Sequence, residues 1–252
     1  FLMTRRPPRS TRHGVRRQRQ MCIRDRYSIN KGLWGTSVGG SETLTSHKAL
    51  PEEAFPTQVE TNDSVTLDLH FKEGEPVGIN DQSFENPVDA IQQLNQIAGR
   101  YGIGRDTHVG DTIIGIKGRV GFEAAAALMI IKGHHLLEKH NLTKWQQYWK
   151  EQLGNWYGML LHEGQYLDPV MRNIEVFLQD TQKNITGTVH FKLLPYRFEL
   201  LGITSKFDLM SSKSGQYGEM NAGWSGQDVK GFTKILANQN KIHSSLNPQN
   251  ND

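Results

Sequence analysis

Residues 99–123, GRYGIGRDTHVGDTIIGIKGRVGFE, decide how the rest of the chain is read. Seven glycines fall among the 23 residues from Gly99 to Gly121. The first of them, in Gly99–Gly104 (GRYGIG), could let backbone approach a phosphate. The string matches neither G-x-G-x-x-G nor the Walker lysine pattern, so a tight turn after a helix is the simpler reading. Ile113, Ile114 and Ile116 suggest a short strand within the stretch. Arg105 and Arg119 could each hold a carboxylate or phosphate bidentately, although most exposed arginines do neither.

Upstream, Asn86-Pro87 predicts a helix start. Asn accepts from the free N–H groups of a first turn, and Pro at the first helical position lacks a donor that would be orphaned anyway. Ile91, Leu94 and Ile97 or Ala98 mark its buried face, with Gly99 as its cap. Earlier still, Val65, Leu67, Leu69 and Phe71 alternate with polar residues as a half-buried strand does. Lys72–Pro76 reads as a turn, and Val77–Ile79 as the return strand of a hairpin. Gly35–Thr61 is rich in Gly, Ser, Thr and Pro and reads as loop.

Downstream, Glu123–His140 predicts a helix with close alanine packing at its start. Lys144–His162 predicts another, with Trp145, Tyr148, Trp149 and Leu153 recurring near helical spacing. Asp168-Pro169 opens a third, through Gln179, with Val170, Ile174, Phe177 and Leu178 facing inward. Thr186–Leu194 and Tyr196–Ile203 are expected strands joined at Pro195. Asp228 is expected to start a last helix bearing Phe232, Ile235 and Leu236, followed by a frayed polar tail. Strands and helices are grouped rather than alternating, so the fold class is α+β: antiparallel strands and hairpins packed with helices, and a C-terminal helical arm.

Charge is distributed very unevenly. Residues 1–26 hold nine Arg, no Lys and one acid, Asp25; residues 27–252 hold 20 Lys and Arg against 25 Asp and Glu, net −5. An arginine arm of this kind suits nucleic acid or an organellar transit peptide. It is also similar to read-through translation of a sequencing adapter (PPRST, RRQRQMCIRDR), and the abrupt change at Tyr27 agrees with that. Residues 1–26 are therefore set apart as a non-native or disordered leader, and the acidic remainder argues against a nucleic-acid partner. The single cysteine, Cys22, lies in the leader. Disulfides, cysteine-ligated zinc and cysteine nucleophiles are thus excluded from the body. The longest apolar run, Ala124–Ile131, is eight residues, far short of a membrane span. No membrane association is expected, and the location is read as cytoplasmic.

Candidate chemistry is sparse. His135 and His140 are five apart, not the four that stack two ligands on one helix face, and with His134 and His162 they read as ordinary histidines. No metal site is expected. Glu123 is either a general base or a first-turn carboxylate favoured by the helix dipole; the sequence does not choose. Ser28 and Ser37 flank Leu33-Trp34 as two ordinary loop hydroxyls.

Four segments change that reading: Tyr27–Ser37 (YSINKGLWGTS), Leu94–Arg105 (LNQIAGRYGIGR), Ile113–Arg119 (IIGIKGR) and Gly154–Tyr166 (GNWYGMLLHEGQY). Together they resemble argininosuccinate synthase, specifically its C-terminal synthetase and oligomerisation half, over Tyr27 to about Ile242. The resemblance implies an ATP-dependent C–N ligase of arginine biosynthesis. Citrulline's ureido oxygen attacks the α-phosphate of ATP, pyrophosphate leaves, and aspartate's amine displaces AMP from the adenylate. It implies ATP with Mg2+, a homotetramer, and a C-terminal helix (Val229–Ile242) against a neighbouring subunit. The ATP domain and the aspartate ligands are expected to lie outside this chain, which would be inactive alone. Residues 27–228 would form the synthetase domain and 229–252 the helix and tail.

The family's two citrulline-binding serines match Ser28 and Ser37; no catalytic residue is assigned. Two further ligands do not match. A family glutamate falls on Gly110, and a family tyrosine on Phe122. Each lost hydrogen bond to a charged group is worth roughly 1.5–3 kcal/mol. Asp111 is a possible substitute, and the pocket could be rebuilt for an N-acylated citrulline. A non-catalytic oligomerisation or amino-acid-binding module is the alternative from a different class.

Overall fold

Three helices begin where side chains offer caps. In the computed structural model, which describes residues 26–211 and 223–246, the Asn86 carboxamide accepts from Val88 N at the start of α1 (Pro87–Gly99). The next helix, α2, spans Ala125–Asn141. Thr143 and Gln146 form a reciprocal capping box on α3 (Lys144–His162), and Asp168 caps α4 (Pro169–Gln182). Each cap supplies an acceptor to N–H groups that have no partner inside the helix. The arginine-rich leader lies outside the described residues apart from Arg26, which pairs with Glu42.

Nine strands form two antiparallel sheets: β1 (Ser28–Gly32), β2 (Gly35–Gly39), β3 (Val65–Lys72), β4 (Glu75–Ile79), β5 (Gln82–Ser83), β6 (Arg105–Asp111), β7 (Lys117–Glu123), β8 (Gly187–Leu194) and β9 (Arg197–Thr204). The larger sheet runs β5-β4-β3-β8-β9. Glu73-Gly74, both at positive φ, make the two-residue turn between β3 and β4, the geometry that matches strand twist. Leu67, Leu69, Phe71, Val189, Phe191 and Leu193 line one face and are buried against α1 and α2. At Gly133 of α2, an added Cβ would lie 2.6 Å from Phe191, so helix and sheet meet there at glycine distance. The outer face is polar: His190 bonds Asp68 and Thr204, and His70 bonds Thr188.

The smaller sheet runs β1-β2-β7-β6. Its strands were hidden by glycine and by composition. Gly35–Gly39, expected as loop, is β2: it pairs with β1 and β7, and Val38 is completely buried under Tyr27, Leu50, Ala54 and Phe55. The isoleucines expected to form a strand, Ile113, Ile114 and Ile116, instead make the exposed turn of the β6–β7 hairpin, closed by Thr112 and Ile116 and bent at Gly115 (φ 78°). The flanking polar residues form the strands because β6 and β7 pair with each other along their length, and β7 pairs also with β2 at Gly121–Glu123. Glu123 ends β7 rather than starting α2, held extended opposite both Thr36 and Arg105. Gly104 (φ 82°) lets the base of β6 touch the start of α2; a Cβ there would lie 2.5 Å from Ala124–Ala125 backbone, a conformation and a space that only glycine fits.

Helix boundaries and faces also differ in places. Gly99 is the last residue of α1, and Gly102 rather than Gly99 turns left-handed. α4 extends to Gln182 and buries Met171, Ile174 and Thr181, while Val170 is exposed. α3 buries no residue, and all five tryptophans of the chain are more than half exposed. The core is aliphatic, with phenylalanine at its centre.

Two compact units divide between Phe207 and Asp208. In the second, α5 (Gly226–Leu236) begins at a Ser225–Asp228 capping box, so Asp228 is its third residue rather than its first. The arm expected as one helix to Ile242 is two, and the second, α6 (Asn238–Leu246), runs on into the expected tail; residues 247–252 lie outside the description.

Candidate substrate-binding face

Side chains alternate across a strand, and residues directly opposite share a face. Register therefore assigns faces in the smaller sheet. Ser37 lies opposite Asn30 on one side and Phe122 on the other, and Phe122 lies opposite Asp106. Ser28 lies opposite Gly39, two residues beyond Ser37 and so on the same side. His108 and Gly110 follow Asp106 at intervals of two. The His108 and Phe122 rings meet edge-on, with centroids 6.3 Å apart, as residues sharing a face should.

Ser28 and Ser37 are thus brought to one face, together with Gly110 and Phe122, the two positions where the resemblance expects other side chains. Asp111 is placed on the opposite face, at the far end of the hairpin, paired with Lys117 at 2.6 Å. The imidazole of His108 leans over Gly110: a Cβ added there would lie 2.7 Å from His108 Nε2.

The opposite face is closed, and the two flanking arginines close it. Arg105 Nε bonds Glu123 at 3.1 Å, its other nitrogens reach Glu52 and the Thr57 carbonyl, and Phe55 stacks on its guanidinium. The Arg105 and Glu123 side chains are only 7% and 8% exposed. Arg119 donates to the carbonyls of Glu42, Thr45 and Lys48. Both arginines therefore fasten the irregular 41–59 segment beneath the sheet. Glu123 is an ion-pair partner inside that closed layer, neither an accessible base nor a first-turn carboxylate.

Asn95 positions the serine sheet against the core. Its amide nitrogen donates to Leu33 O at the β1–β2 turn, and its oxygen accepts from Ala126 N at the start of α2. A cleft of about 460 Å³, lined by Lys31–Leu33, Gln92, Asn95 and Gln96, opens beside it. A second cavity, about 580 Å³, lies beside the β3–β4 turn among His134, Lys150, Gln182 and Lys183. Its inner groups satisfy one another: Glu138 accepts from Lys150 and Gln182, and His134 bonds Gln182. Burial holds the His134 imidazole below its ordinary pKa, against the opposing pull of Glu138. His135 lies near Glu151, and His162 bonds the Asp111 carbonyl. Among the described residues no group of three acidic, histidine or cysteine side chains could hold a metal ion.

Sequence reasoning missed Asp106, His108 and Asn30. RDTHVGD offers no apolar–polar alternation to mark it as a strand; only the pairing with β7 sorts Arg105, Thr107 and Val109 to one side and Asp106, His108 and Gly110 to the other.

Among the described residues, the smaller sheet presents one open, largely polar face on a helix-backed α+β body. A family model for the arginosuccinate synthase C-terminal domain matches residues 27–243, and the chain belongs to that family. Argininosuccinate synthase of Dictyoglomus thermophilum is 34% identical over 227 residues, 90% of this chain and 56% of the relative. That of Methanocaldococcus jannaschii is 35% identical over 197 residues, covering 77% and 50%, and that of Sulfurisphaera tokodaii 32% over 227 residues, covering 89% and 56%. The chain spans about half the length of these curated relatives.

Proposed function

We propose that this chain is the citrulline-binding part of an ATP-dependent ligase that joins citrulline to aspartate, giving argininosuccinate, AMP and pyrophosphate in arginine biosynthesis. Family membership carries the reaction. The observation that carries the site is the gathering of Ser28 and Ser37 on one open face, with neither hydroxyl engaged by another described residue. Hydroxyls can donate and accept, so they can serve either end of a zwitterion. The ureido group is a poor electrophile and needs adenylation before an amine can displace its oxygen. ATP and its Mg2+ supply that activation; no step of it is assigned to residues of this chain. Assembly as a homotetramer in the cytoplasm completes the proposal, and no helix among the described residues is long and apolar enough to cross a membrane.

Isothermal titration with citrulline tests the reading. Ser37→Ala and Ser28→Ala should each weaken binding about threefold to tenfold, the worth of one hydrogen bond of about 0.5–1.5 kcal/mol, with thermal stability unchanged. Absence of citrulline binding by the unaltered chain, or binding indifferent to both serines, would remove the site.

A further inference from the structure

The open face of the smaller sheet carries one formal charge. Along the strands Ser28, Asn30, Ser37, Phe122, His108 and Asp106 share that face by register, and no lysine or arginine joins them. The positive side chains of these strands, Lys31, Arg105, Lys117 and Arg119, fall on the other parity. Asp106 uses Oδ1 to accept from the Thr107 amide; its Oδ2 has no partner among the described residues, and Asp106 forms no ion pair there. Two strand spacings, about 10 Å, separate its backbone from that of Ser37. That gap is too wide for the two side chains to bond each other; Phe122 lies between them, and a small zwitterion would span it by lying across the ring.

We propose that Asp106 binds the α-ammonium of the amino-acid guest whose other polar groups are held by Ser28 and Ser37. The inference rests on the serine-face reading above and names the end of the guest that this face recognises. Three features support it. A carboxylate with a free oxygen is the natural partner of an ammonium, and the face offers no second one. Phe122 stands between Ser37 and Asp106 as an apolar partition, so hydroxyl and carboxylate address different parts of the ligand. Beyond Asp106, His108 covers Gly110, leaving no acidic side chain at that position to compete. An Nα-acylated guest would bring a neutral amide to this carboxylate. The face therefore selects the free amino acid.

The chain, unaltered and as Asp106→Asn, Asp106→Glu and Ser37→Ala, would be titrated calorimetrically with citrulline and with Nα-acetylcitrulline. Asparagine keeps the acceptor for Thr107, so equal melting temperatures are expected across the set. Asp106→Asn should weaken citrulline about tenfold to a hundredfold, as loss of a charge-assisted hydrogen bond does, and Asp106→Glu should recover part of that. Nα-acetylcitrulline should bind at least about tenfold more weakly than citrulline to the unaltered chain and be indifferent to Asp106→Asn. Citrulline binding that responds to Ser37→Ala but not to Asp106→Asn would leave the serine face standing and reduce Asp106 to an edge-strand charge. Equal or tighter binding of Nα-acetylcitrulline would overturn the proposal in favour of an acylated guest. If neither ligand binds, both the serine face and the role of Asp106 fall.

Discussion

The two sheets of this chain are built from the same antiparallel geometry and spend it differently. The five-stranded sheet covers one face with α1 and α2 and buries a continuous row of aliphatic and phenyl groups, with Phe191 at its centre. The four-stranded sheet closes one face with an irregular segment fastened by two arginines, and leaves the other bare. An antiparallel sheet tolerates this division because its two faces are independent. The first sheet is specified by volume, the second by directed hydrogen bonds. Damage to each should therefore look different.

Phe191→Ala should produce the largest loss, about 3–5 kcal/mol, because a fully buried ring leaves a cavity. Urea unfolding should shift as a whole, with amide exchange accelerating throughout the larger sheet and its two helices. Arg105→Ala should cost about 3 kcal/mol, since it leaves Glu123 buried without its cation. Its exchange signature should be confined to β2, β6, β7 and residues 41–59. If instead it loosens β3 and β8 equally, the two sheets are one cooperative unit and the contrast fails. The smallest effect should come from pH. Burial lowers the His134 pKa below the 6.5 of an exposed imidazole, so on acidification the unfolded chain takes up its proton first. Stability from this group is intact above about 6.5 and falls as pH drops below it. Glu138, Lys150, His135 and Gln182 face the ring. Melting temperatures at pH 8 and pH 5 should differ less in His134→Gln than in the unaltered chain; an equal difference would place the pH sensitivity elsewhere.

The sequence revealed these sheets unequally for the same reason. Leu67, Leu69 and Phe71 alternate because the larger sheet buries one face in hydrocarbon, and β3 and β8 are readable from that pattern alone. Asn86-Pro87 and Asp168-Pro169 announce helices because capping is local chemistry. β2 and β6 carry no such pattern: Val38 is the only fully buried apolar residue of Gly35–Gly39, and the closed side of β6 rests on an arginine. Their strands follow from pairing across many residues, which no local window contains. The α3 aromatics show the complementary limit: their helical spacing identifies the helix without stating whether its stripe is covered. Ser28 and Ser37 acquired meaning through resemblance, and register then placed them together and Asp111 apart.

Asn95 makes a final point about chemical ageing. Deamidation would replace its Nδ2 donor with an anionic oxygen. The acceptor role toward Ala126 N would survive and strengthen, because a negative charge suits a helix N-terminus. The donation to Leu33 O would become repulsion between two oxygens. A single spontaneous change of one atom would thus tighten the attachment of α2 while releasing the β1–β2 turn.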